Sequence, residues 1–119
     1  MQIKFIPIDI FLSDVYILIG AEEKDFIEFY QNNKVYITED ERNAIVADVK
    51  NADCNSATYA LESGAELVFI RVGHDDYETV IDEFLHVAMS VVERCEINDT
   101  NHKVCSYLCA WLIRQYYRM

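Results

Sequence analysis

Glycine and proline are almost absent from this chain, which has three glycines and one proline among its 119 residues. These two residue types supply most of the turns and linkers that separate domains, and no repeat or low-complexity segment takes their place. Because 52% of the residues are hydrophobic, the chain also has enough apolar side chains to bury one core. We therefore expect residues 1–119 to form a single domain.

The charge balance limits the partners of this domain. Asp and Glu number 21 against 10 Lys and Arg, so the formal net charge is −11. Such a surface repels the phosphates of nucleic acids and anionic membrane surfaces. Asp9 and Asp14 interrupt the apolar N-terminal stretch, so we expect neither a signal peptide nor a transmembrane helix. Four cysteines do not suggest a disulfide framework, and we expect reduced thiols and a cytoplasmic location.

Strand-like residues dominate the start of the chain and a helical pattern follows them. Ile3, Phe5 and the run 15–19 are rich in β-branched and aromatic side chains, which predicts strands, and Pro7 is tolerated at a sheet edge. Residues 22–33 have an acidic first turn and apolar side chains on one face. This pattern predicts a helix.

The middle of the chain predicts further strands. The runs "VYI" at 35–37 and "AIVADV" at 44–49 are short strand candidates, although the second also fits the start of a helical turn. A Ser-Gly pair at 63–64 separates two strand-like runs. We therefore expect a hairpin that pairs residues 58–62 with 66–72.

Two longer helices complete the predicted fold. Asp75 and Glu78, three residues apart, resemble a capping box at the start of a helix that runs to about residue 95. Asp99 or Thr100 is placed to cap a second helix that ends near residue 116. Strands followed by two helices predict an α+β fold, in which a small antiparallel sheet packs against the C-terminal helical pair.

Three ionisable residues lie inside the first of these long helices. Asp82 and His86 are four residues apart, so they share one helix face and can grip one metal ion. Glu83 lies about 100° further round, close enough to hold a water molecule beside that ion. The pattern Asp-Glu-x-x-His differs at one position from the His-Glu-x-x-His helix of zinc peptidases, where the Glu acts as general base.

Residues 64–115 resemble the small zincin-like metallopeptidase proteins encoded by tailed bacteriophages and prophages. Those proteins have a hairpin, a helix of the HExxH type, a short loop and a second helix, and the matching stretches here are "ESGAELVFIRV", "DEFLHVAMSVVER" and "NHKVCSYLCAWLIR". The resemblance implies a zincin-like fold. It also implies Asp82 and His86 as zinc ligands and Glu83 as the catalytic base.

The second helix supplies the third ligand that the resemblance implies. The family commonly has an acidic residue five positions before an aromatic, and here His102 stands in that place before Tyr107. Asp82 in turn replaces the first histidine of the family motif. Both exchanges keep an oxygen or nitrogen donor, so Asp82, His86 and His102 form a possible set of three zinc ligands that leaves one position for water.

Two other interpretations of these residues stay open. An acidic protein routinely places Asp-Glu pairs on solvated helix faces, so Asp82 and Glu83 also fit the surface, with His86 as a hydrogen-bonded histidine at its edge. The cysteines at 95, 105 and 109 with His102 also give a conceivable structural zinc site. The spacing of that set lacks a short Cys-x-x-Cys element, and cysteines on an apolar helix face are more simply small core residues.

Two classes of function follow from these patterns. The first is a metal-dependent hydrolase, similar to zinc peptidases and of weak or lost activity, in which Glu83 deprotonates a metal-bound water that attacks a peptide carbonyl. The second is a non-enzymatic acidic interaction protein of phage or mobile-element origin, which binds a basic protein partner. The sequence contains neither a phosphate-binding glycine loop nor a Gly-x-Ser-x-Gly motif.

Overall fold

A computed structural model describes residues 1–32, 35–98 and 102–119. These residues form a four-stranded sheet and four α-helices. In chain order the elements are β1 (Gln2–Ile8), β2 (Ser13–Ile19), α1 (Glu23–Asn32), α2 (Glu39–Lys50), β3 (Ser56–Ala60), β4 (Glu66–Ile70), α3 (Tyr77–Arg94) and α4 (Lys103–Arg118).

The sheet is mixed, with the strand order β1-β2-β4-β3. β1 pairs with β2 and β3 with β4 in antiparallel fashion, whereas β2 and β4 run parallel. The expected antiparallel sheet is therefore wrong at its centre. The physical reason is the long connection through residues 20–65. It returns the chain to the end of the sheet where β2 begins, as a parallel pair requires.

Helices cover both faces of this sheet. The C-terminal pair α3 and α4 packs on one face, as predicted, against side chains that include Ile17, Val68 and Ile70. On the other face α1 and α2 pack against Leu67 and Phe69. All five residues of β4 are buried, because a central strand covered on both sides has no solvent-facing position. The fold is α+β. α1 confirms the helix predicted at 22–33, whereas its packing with α2 as a second helical layer was not predicted.

Between α1 and β3, the strand predicted at 35–37 is wrong, and of the two alternatives for 44–49 the helical one is confirmed. Residues 35–37 have no regular structure, although Val35 and Ile37 are buried. Residues 44–49 lie inside α2, which begins at a capping box in which Thr38 and Glu41 each bind the other's backbone N–H. This helix buries Ile45 and Val49, four residues apart, so its apolar period is that of a helix.

The predicted hairpin and long helices are confirmed with shifted ends. The hairpin pairs 56–60 with 66–70 rather than 58–62 with 66–72. α3 is capped by Asp76, which accepts a hydrogen bond of 3.0 Å from the backbone N–H of Thr79, so the predicted cap at Asp75 is one residue early. The proposed caps Asp99 and Thr100 lie outside the described residues. Within the described residues, none of the helices combines the length and apolar content needed to span a bilayer.

Candidate functional site

Two of the predicted site residues lie on the outer side of α3. Asp82 and His86 are both exposed to solvent, one turn apart on the same helix. The inner side of α3 carries the apolar stripe that packs on the sheet, including Val80, Phe84 and Val87. The structure therefore keeps these two donors accessible to an ion from solvent.

Glu83 points in a different direction from its two neighbours. Its side chain is buried, with 6% exposure, and faces the edge strand β3. Ser56 Oγ donates a hydrogen bond of 3.2 Å to Oε1, and Thr58 Oγ1 donates one of 2.5 Å to Oε2. Ser56 and Thr58 are two residues apart in β3, so both side chains face the same side of the sheet. The carboxylate is thus held by the sheet rather than beside Asp82 and His86.

His102 lies at the start of α4. It is an exposed residue with a left-handed backbone (φ 55°), and its carbonyl oxygen accepts hydrogen bonds from Ser106 N and Ser106 Oγ. It lines a shallow pocket with Met89, Glu93 and Cys105, among others, whereas Asp82 and His86 do not line that pocket. Zinc binding by Asp82, His86 and His102 stays a prediction.

The second conceivable zinc site combines Cys95, Cys105 and Cys109 with His102. Across residues 1–32, 35–98 and 102–119, His, Cys, Asp and Glu side chains form no group of three or more placed to hold a metal ion. Cys95 is exposed at the end of α3, whereas Cys105 and Cys109 are buried in the core. Burial raises the pKa of the Cys109 thiol, which keeps it protonated and apolar in character. We therefore derive no reaction step through a metal, and zinc binding by either set of residues stays a prediction.

Sequence reasoning missed a second buried carboxylate, that of Glu66 at the start of β4. It is fully buried, and its Oε1 accepts a hydrogen bond of 2.7 Å from Ser90 Oγ and lies 3.2 Å from the guanidinium of Arg94. Its Oε2 has no hydrogen-bond partner among the described residues. Burial raises the pKa of Glu66, although Ser90 and Arg94 oppose the shift. The sequence signal that could have revealed it is a charged residue at the start of the otherwise apolar run "ELVFI".

Arg94 ties this carboxylate to the start of β2. Its guanidinium donates a hydrogen bond of 2.6 Å to Ser13 Oγ, and Ser13 Oγ donates one of 2.9 Å to the carbonyl oxygen of Gly64. The network therefore links α3, β2 and the hairpin turn. Among the buried side-chain polar atoms of the described residues, only Glu66 Oε2 lacks a hydrogen-bond partner, so the arrangement is that of a structural network.

The acidic residues concentrate on the other side of the molecule, around α1 and α2. Residues 22–62 contain ten acidic and four basic residues. One ion pair joins the two helices, between Lys50 and Glu23 at 3.3 Å, and both side chains are substantially exposed. Further carboxylates on this layer are exposed to solvent, namely Glu22, Glu28, Glu39 and Asp40. The layer presents a negatively charged surface.

Comparison with known proteins identifies no relative. No family model matches the chain, and neither a curated protein nor a solved structure matches it. The fold and the geometry of the individual residues are therefore the basis for a functional proposal.

Proposed function

We propose that this protein is a non-enzymatic interaction protein, and that the acidic layer formed by α1 and α2 binds a basic protein partner. The observation that carries the proposal is the position of Glu83, the residue expected to act as general base. A general base must lie within hydrogen-bond reach of the water it activates. The carboxylate of Glu83 instead satisfies two hydroxyls of β3 inside the protein.

A zincin-like phage ancestry belongs to the same proposal. In this interpretation the hairpin, α3 and α4 retain the order of elements of a metallopeptidase, and the Asp-Glu-x-x-His motif is a remnant whose central carboxylate has become structural. The charge of −11 and its concentration on residues 22–62 then supply the basis for recognising a basic partner.

The acidic layer can be tested with two variants of equal net charge. The first variant removes four charges from the layer by Glu22→Gln, Glu28→Gln, Glu39→Gln and Asp40→Asn. The second removes four exposed charges elsewhere by Asp14→Asn, Asp82→Asn, Glu93→Gln and Glu96→Gln. We expect a lysine-rich peptide to bind the second variant and the wild type alike, and to bind the first variant several-fold more weakly at low salt. If both variants bind the peptide equally weakly, net charge alone explains the binding, and the proposal of a binding surface on α1 and α2 is wrong.

The hydrolase remains a second candidate because Asp82 and His86 are exposed one turn apart. Elemental analysis of the purified protein separates the two candidates, together with an assay for cleavage of an unfolded protein substrate in the presence of zinc. The proposal predicts neither stoichiometric zinc nor cleavage. Zinc that is lost in His86→Ala, or cleavage that is lost in Glu83→Gln, would favour the hydrolase instead.

A further inference from the structure

A groove lies between the turn after β1 and the outer side of α4. Its volume is about 630 Å³, and its lining is mostly apolar, with Ile8, Phe11, Leu108 and Trp111 among the lining residues. Two of its apolar lining residues reach into solvent: Ile10 is 84% exposed and Tyr107 73%. An exposed apolar surface of this kind marks a site of protein interaction. A small molecule bound inside the groove would leave the exposed apolar side chains at its rim in contact with water.

The backbone of the turn after β1 holds Ile10 away from the core. Asp9–Phe11 form a single 3-10 turn, and Leu12 follows it with a left-handed backbone (φ 49°) and an N–H bonded to the carbonyl oxygen of Asp9 at 3.1 Å. A left-handed conformation is unfavourable for a branched residue such as leucine. Leu12 itself does not line the groove, but the turn that it closes places Ile10 and Phe11 in the groove wall.

The charge of α4 indicates which partner fits. This helix carries Lys103, Arg114 and Arg118 and contains no acidic residue, although the whole chain has a charge of −11. Arg114 lines the groove, and among the described residues no carboxylate lies within ion-pair distance of it. The opposite wall carries one carboxylate, Asp9. A symmetric contact between two α4 helices would bring like charges together, so the helix is better suited to an acidic partner.

We infer that this groove binds an acidic, apolar segment of another protein. Apolar side chains of the segment fill the space between Phe11 and Trp111, and one of its carboxylates pairs with Arg114. The site lies on the α3–α4 side of the sheet, away from the acidic α1–α2 layer, and the inference does not depend on the function proposed for that layer. Together the two surfaces would let the protein hold two partners of opposite charge.

Trp111 provides a direct readout, because it is the single tryptophan of the chain and lines the groove. The probe is a blocked amphipathic peptide of leucine and glutamate, compared with matched peptides in which glutamine or lysine replaces glutamate. We expect the glutamate peptide to shift Trp111 emission to the blue saturably. The lysine peptide should bind at least about tenfold more weakly.

Variants of the two groove walls test the geometry. Arg114→Glu should weaken the glutamate peptide about tenfold and favour the lysine peptide, and Ile10→Ser should weaken every peptide about tenfold. Asp9→Asn changes the charge of the opposite wall and should leave the glutamate peptide bound at least as tightly. Arg118→Glu alters the same helix at a residue that does not line the groove and should have a much smaller effect. Circular dichroism checks that each variant remains folded.

Three outcomes would overturn the inference. The first is equal binding of all three peptides, or of none, to the folded wild type. The second is binding of the glutamate peptide that Arg114→Glu leaves unchanged. The third is a concentration-dependent dimer of the protein alone, seen by sedimentation velocity and abolished by Ile10→Ser, which would assign the groove to a second copy of the chain.

Discussion

At the scale of single residues, the contrast between Asp82 and Glu83 decides how α3 is interpreted. The two are adjacent in sequence, yet one is solvated and the other is enclosed by β3. Helical geometry gives the angle between their side chains but not the identity of the neighbour on each side. The direction of Glu83 could be recognised only once β3 was placed beside α3.

Truncating Glu83 should therefore destabilise the fold. Glu83→Ala leaves the hydroxyls of Ser56 and Thr58 without their acceptor, and we expect the free energy of unfolding to fall by about 1–3 kcal/mol. Glu83→Gln keeps an amide oxygen as acceptor and should cost less. Urea denaturation followed by circular dichroism measures both variants. Wild-type stability in Glu83→Ala would show that the two hydrogen bonds contribute little and would return Glu83 to the list of catalytic candidates.

Glu66 should make stability depend on pH in a defined direction. Burial raises its pKa in the folded state above the value in the unfolded chain. Its contribution is therefore fully present below the unfolded pKa and is lost as pH rises through the folded pKa. Glu66→Gln should gain stability relative to wild type as pH rises from about 4 to 7. Glu62→Gln, at an exposed site on the same hairpin, controls for the loss of one negative charge, and a difference between Glu66→Gln and wild type that stays constant with pH would contradict the assignment.

At the scale of secondary-structure elements, Arg71 fixes the end of α2 to the sheet. Its Nη2 donates hydrogen bonds to the carbonyl oxygens of Val49 and Asn51 at 2.9 and 2.8 Å, and its Nε donates one to Cys54 O at 2.9 Å. Carbonyls at the end of a helix have no partner within the helix, and a positive charge there also interacts favourably with the helix dipole.

Removing this guanidinium should loosen one end of α2. We expect Arg71→Met to lower the free energy of unfolding by about 2–3 kcal/mol and to speed amide exchange in the last turn of the helix. Arg71→Lys should recover only part of the loss, because a single ammonium group cannot donate in all the directions that the planar guanidinium does. Arg42→Met, within α2 itself, serves as the control. Unchanged exchange at residues 47–50 in Arg71→Met would show that another contact holds the helix end.

The elements that sequence reasoning identified were those whose pattern is local. The hairpin and α3 were found because a turn pair and a long amphipathic run are contained within each segment. For the run 44–49 the sequence left a strand and a helical turn open, because Ile45 and Val49 lie within only six residues, too few to show a helical period. The parallel pairing of β2 with β4 was missed because it joins segments separated by residues 20–65. A pattern within either segment does not indicate which strand will be its neighbour.

At the scale of the whole molecule, the net charge of −11 acts against the compact state. Like charges are closer together in the folded chain than in the unfolded one, and salt screens their repulsion over about 10 Å at 0.1 M ionic strength. We therefore expect the thermal midpoint to rise as sodium chloride is added at neutral pH. The variant that neutralises four charges of the α1–α2 layer should show a smaller rise. A midpoint that falls with salt would show that favourable ion pairs outweigh the repulsion.

The parallel contact between β2 and β4 also affects the order in which the protein can assemble during synthesis. When β1 and β2 leave the ribosome they can pair at once as a hairpin, but Ile17 and Leu18 are then uncovered on opposite faces, and the inner edge of β2 is open. The strand that closes this edge is not made until residue 66. Nascent chains that stop short of β4 should therefore expose an apolar two-stranded ribbon, which is the kind of intermediate that aggregates or engages chaperones.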